Sequence, residues 1–210
     1  MFKRLLTAAL ITSMLILPVS SVGPVSAGET AVPAQAQDYL PGDVPAETDA
    51  VESMSPALHA LVLAMVNHDA AGFDFSDTAL TWEGLYNMLS LYGQLDSRCD
   101  EKNGELLLPE ETVLDYAAVL DVDPDALGDP PAAIRDRLNY DNVSGCYVIV
   151  CGADNLARIR VDRLTPAAGG YVLDGALVYE VENKVLVQFQ AVLQPRDNMF
   201  GFVVSSLTEV

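Results

Sequence analysis

Apolar and polar positions along this chain fall into two regimes. Between residues 55 and 138 apolar side chains return every three or four positions, and between 145 and 208 they return every second one. The first spacing lays a stripe along a helix, and the second lines one face of a strand. Leu58, Leu61, Val62, Met65 and Val66 form the first stripe, and Ser55-Pro56 predicts its start, with Ser as cap and Pro at the first helical position. Trp82, Leu85, Tyr86 and Leu89 predict a second helix from Thr81 to about Gly93. The polar stretch from Asp96 to Glu105 reads as a loop. Pro109-Glu110-Glu111 opens a third helix whose acidic first turn matches the helix dipole, with Val113, Tyr116, Ala117 and Leu120 inward. A short fourth helix is predicted from Pro131 to Leu138, capped by Asp129.

The first predicted strand is Cys146-Tyr147-Val148-Ile149-Val150-Cys151. Ala157, Ile159 and Val161 then alternate with Arg158, Arg160 and Asp162, the pattern of a half-buried strand. A long strand from Tyr171, a turn at Asn183-Lys184, its partner from Val185, and a last strand through Phe200, Phe202 and Val204 complete the series. Helices first and hairpin-linked strands after predict an α+β domain, with N-terminal helices packed on a C-terminal antiparallel meander of about five strands.

Upstream of this pattern the chain changes character. Met1-Phe2-Lys3-Arg4 is a basic head, Leu5 to Leu17 is apolar, and Val25-Ser26-Ala27 offers a small-x-small cleavage site. That order is the one a secretory signal needs. The expected organisation is therefore a signal peptide over 1–27, an acidic Pro/Ala-rich linker over 28–52, and one domain over 53–210, helical over 53–140 and sheet over 145–208. The expected location is outside the cytoplasm, with no membrane attachment once the signal is removed.

Charge narrows the possible partners. The chain carries 11 basic and 30 acidic residues, a net charge of −19. Phosphate binding needs clustered cations, and the one cluster here, Arg158, Arg160 and Arg163, is interrupted by Asp162. Nucleic acid is excluded as a partner on this ground. An unknown protein or small molecule remains.

Motifs that carry chemistry are sparse. Asp121, Asp123, Asp125 and Asp129 occupy positions 1, 3, 5 and 9 of a possible calcium loop, but Ala126 and Ala132 stand where Gly and a bidentate carboxylate are needed. A turn between helices is the plainer reading. His59 and His68 fall on different faces of the first helix, and no zinc-ligand spacing or serine elbow occurs. Trp82 and Tyr86 could stack a sugar, though their helical spacing suits a core. No catalytic, cofactor-binding or metal-ligating residues are assigned. Cys146 and Cys151 lie at opposite ends of one predicted strand, too far apart to bond. Cys99, placed on the loop, is instead expected to form a disulfide with Cys151 or Cys146. These features point to an exported, non-catalytic domain that binds a partner or small ligand through the sheet face or an adjoining cleft. An acid-pair hydrolase of extracellular saccharides and a calcium-dependent structural protein are the alternatives.

Overall fold

A computed structural model describes residues 47–122, 127–151 and 156–210. The chain is an α+β domain: among the described residues, α1 (Glu47–Asn67) and α2 (Thr78–Tyr92) precede eight strands in two antiparallel sheets of four. The first sheet contains β1 (Asp100–Lys102), β2 (Glu105–Pro109), β3 (Leu138–Asp141) and β4 (Cys146–Val150) in the order β1-β2-β4-β3. Between β2 and β3 lie α3 (Glu110–Ala117) and a single turn, α4 (Ala132–Arg135). The second sheet is a meander of β5 (Ala157–Ala167), β6 (Gly170–Tyr179), β7 (Lys184–Pro195) and β8 (Phe202–Glu209).

The first helix starts earlier than Ser55-Pro56 implies. It begins at Glu47 and carries Pro56 in its interior, so Ser55 is not its cap. Proline at that position removes one backbone donor and crowds the carbonyl four residues back. Ser55 lies beside the gap and turns inward, its Oγ donating to the Val51 carbonyl at 2.7 Å. Burial outweighs the proline: Ala50, Met54, Ala57, Leu58, Leu61 and Val62 are all inaccessible to solvent. By length and composition Asp49–Asn67 could cross a bilayer, but here its apolar residues pack into the protein core.

Asp77 caps α2, its Oδ1 accepting from the backbone N–H groups of Ala79 and Leu80 at 2.9 and 3.2 Å. The two long helices pack against each other, with Leu61 of α1 close over Gly84 of α2. A β-carbon there would stand 2.7 Å from Leu61 Cδ2 and 3.2 Å from the Phe73 ring, so only glycine fits without a shift. Buried Asn87 ties the pair further, its Nδ2 donating to the Ala60 carbonyl at 3.2 Å.

The expected loop from Asp96 to Glu105 is a hairpin. Asn103 and Gly104 take φ values of 57° and 81°, and Lys102 pairs with Glu105 across a two-residue turn. Two successive positive φ angles are what Asn-Gly tolerates and what the strand twist requires. The strand at Cys146 forms as predicted but joins β2 and β3, not the meander. Alternation identifies a strand without naming its partner. The fourth helix also shortens: Leu138 opens β3, and the helix has Pro131 as N-cap residue with no side-chain cap bond, so Asp129 does not cap it.

One hydrophobic core joins both sheets to the helices. Leu173, Leu177, Phe189, Leu193 and Phe202 enter it from the inner face of the meander, against which α1 lies. The outer face is partly polar, with the Gln190 amide donating to Asp174 at 2.8 Å.

Candidate functional site

Where α2, α3 and β4 meet, packing leaves a cleft of about 280 Å³. The first turn of α3 follows directly from β2, which places Glu110 beside the neighbouring strand: Leu108 and Pro109 pair with Tyr147 and Cys146. Trp82, Leu85 and Val113 are buried and form the apolar floor, while exposed Glu110 and Leu114 stand at the mouth. Trp82 uses its one polar atom inside the protein, Nε1 donating to the Leu127 carbonyl at 3.1 Å. Its ring is thereby held against the cleft.

Tyr147 forms the remaining wall and connects this cleft to a second. It pairs across the strands with Tyr140, ring centroids 5.1 Å apart and edge to face. Tyr140 lines a shallower cleft of about 340 Å³ with Asp129, Pro130, Arg135, Asn139 and Asn142. Gly128 lines the first cleft and Asp129 the second, so one chain segment borders both. Burial pushes the Tyr147 phenol above its ordinary pKa, and the charges of Glu110, Tyr140 and Asp129 add to the shift. Arg135 is anchored, its Nε donating to the Pro130 carbonyl at 2.7 Å.

A third cleft, of about 330 Å³, opens beside His59, Tyr92, Gln94 and Cys151. His59 Nδ1 and the Tyr92 hydroxyl are 2.6 Å apart, and the histidine is almost wholly buried. His68 is exposed and lines none of these clefts. The two histidines are thus not brought together.

Other sequence-predicted groups take structural roles. Tyr86 is buried, its hydroxyl donating to the Val150 carbonyl at 3.1 Å while the Arg137 guanidinium stacks 4.3 Å from its ring centre. Arg137 also pairs with Glu83 at 2.8 Å. In the aspartate-rich turn, Asp121 pairs with Arg196 at 3.2 Å, and residues 123–126 lie outside the described residues. Among the described residues no cluster of three metal-ligating side chains occurs. Arg158, Arg160 and Arg163 each face a carboxylate, those of Glu180, Asp162 and Asp174.

The expected disulfide is not formed: Cys99, Cys146 and Cys151 are all free. Cys99 does not stand on a free loop. It runs directly into the β1–β2 hairpin, its backbone N–H donates to the Asp96 carbonyl at 3.1 Å, and its side chain packs on the core. Burial pushes its thiol up, and Asp100, Asp96, Cys151 and Glu101 push it further, the reverse of an activated nucleophile. Cys146 and Cys151 sit at and beyond opposite ends of β4.

Sequence reasoning missed the Tyr140–Tyr147 pair with Glu110 and Asp129 around it. A signal was present in the turn residues Asp141-Asn142-Val143-Ser144-Gly145 between two tyrosines, the mark of a hairpin with cross-strand aromatics. No protein-family profile, curated protein or solved structure matches this chain.

Proposed function

We propose that this chain is an exported, non-catalytic domain that binds a small ligand in the cleft beside Trp82 and Tyr147. The observation that carries the reading is the make-up of that cleft: buried apolar walls, two aromatic rings and one carboxylate, open to solvent between three elements. Ligand sites are generally concave and apolar with a few placed polar groups. The outer sheet face is flatter in chemistry, its arginines already beside carboxylates. Export rests on the order of basic head, apolar run and small-residue site in the first 27 residues.

The test is a screen of small polar and amphiphilic solutes by ligand-observed NMR against the native protein. Saturable binding is expected, and Leu114→Trp should abolish it by filling the mouth with little cost to the core. Absence of any binder, or binding that survives Leu114→Trp, sinks the reading. For export, the intact mass of material recovered outside producing cells should correspond to a chain starting at Gly28.

One observation favours a second reading, the acid-pair hydrolase. Glu110 and Asp129 both act on the same phenol across adjoining clefts, so two carboxylates border one aromatic surface. Release of new reducing ends from polysaccharides, lost in Glu110→Gln, would select it over simple binding.

A further inference from the structure

Resting on the ligand-cleft reading, we infer that the cleft at Tyr147 selects an organic cation: an ammonium group on a short apolar stem. Half-buried Tyr147 offers the accessible ring, with Tyr140 packed on it at 5.1 Å, while Trp82, almost wholly buried, closes the floor. Aromatic faces are the negative ends of ring quadrupoles, and ammonium groups settle on them. Leu85 and Val113 supply an apolar surface that a stem would cover.

Charge decides between a cation and a neutral guest. Glu110 stands at the mouth of the cleft, and Asp129 borders the next one, immediately after Gly128. Both carboxylates are exposed, and neither takes part in an ion pair of the described residues. Their field reaches the cleft wall, where it opposes loss of the Tyr147 proton. A guest anion would meet the same opposition, and a cation the reverse. Arg135 lines the adjoining cleft and not this one, its Nε donating to the Pro130 carbonyl at 2.7 Å. A net charge of −19 adds a long-range attraction for cations on top of this local one.

The chemistry could arrive as a free amine or as a lysine side chain of a partner protein. The native protein is titrated with choline, with its neutral isostere 3,3-dimethyl-1-butanol, and with N-acetyl-lysine N-methylamide. Trp82, the only tryptophan, reports occupancy by fluorescence. Choline is expected to bind about tenfold more tightly than its isostere, the scale of a partly desolvated cation–π contact. Glu110→Gln and Asp129→Asn should each weaken it roughly three- to tenfold, as expected for an exposed charge a few ångströms away and screened nearly as in bulk water. Glu182→Gln, an exposed change in the β6–β7 turn with the same effect on net charge, should leave binding unchanged. A tighter lysine derivative assigns the partner's side chain, and a weaker one assigns a free amine. Equal binding of the isostere, indifference to both cleft substitutions, or no binding of any cation overturns the inference. Isostere binding that is blocked by Leu114→Trp would still leave the cleft as a ligand site.

Discussion

The indole Nε1 of Trp82 donates to the carbonyl oxygen of Leu127 at 3.1 Å, joining α2 to a segment distant in sequence. Both residues are buried, Trp82 to 2% and Leu127 to 8% exposure. Both line the cleft, so one bond holds its aromatic floor and part of its wall in register.

Trp82→Phe should therefore cost stability beyond the loss of ring area. It deletes the donor and strands a buried carbonyl, a penalty of about 1–3 kcal/mol. Urea denaturation monitored by circular dichroism measures it. A midpoint equal to that of the parent would mean that Leu127 finds another partner, and that the bond does not position the cleft.

Acid should weaken the domain through named carboxylates. Arg98 bonds Asp96 at 2.8 Å and Asp115 at 2.7 Å, and its hydrogen bond holds the Asp96 carboxyl below its ordinary value of 3.8. Asp74, Asp141 and Asp162 are lowered too, by Ser76, by Ser144 and by Arg160 respectively. A group depressed in the folded state contributes stability that is present above its unfolded pKa and lost as pH falls through the folded one. The melting temperature should thus hold level from neutral pH to about pH 5 and drop below about pH 4. Asp96→Asn should reduce both the neutral-pH stability and the steepness of that drop. An unchanged acid slope in this variant would show that Asp96 does not contribute.

Removal of divalent ions should leave the melting temperature unchanged. Asp121, which would open a calcium loop, is engaged with Arg196 at 3.2 Å. A tight site would add RT ln(1 + [L]/Kd) to stability, which appears as several degrees in a thermal melt. A fall of that size with a chelator would revive the calcium-dependent alternative.

Thiol labelling of the native protein should rank the cysteines by position. Cys151 is exposed and should react first, whereas Cys99 is partly buried with its thiol pushed up and should lag. Peptide mapping without reduction should recover no Cys146–Cys151 link, because β4 separates the two. Such a link would require a different strand from 146 to 150.

Much of the fold could be read from local pattern. Helical spacing around Leu58, Leu85 and Val113, and alternation through Ile159 and Phe189, each report a single element burying one face. The segregation of helices before hairpins then implies an α+β domain, and that is what forms. Local punctuation is a weaker guide than burial. It misled at Ser55-Pro56, because the burial of Ala50 and Met54 overrode the proline. At Asn103-Gly104 it marks a hairpin turn inside a stretch whose polarity alone reads as loop.

What no local pattern contains is which elements become neighbours. Strand β4 has the same apolar run whether it pairs with β5 or with β2, and only the closing of the core chose β2 and β3. That choice brings Tyr147 against Tyr140 and beside Glu110, and sets Trp82 under Leu127. The cleft is made from residues 82 to 147, each unremarkable alone. The elements and the acidity are legible along the chain, because periodicity and charge are properties of neighbouring residues. The site exists only in the folded chain, because a cavity is whatever the packing of distant elements fails to fill.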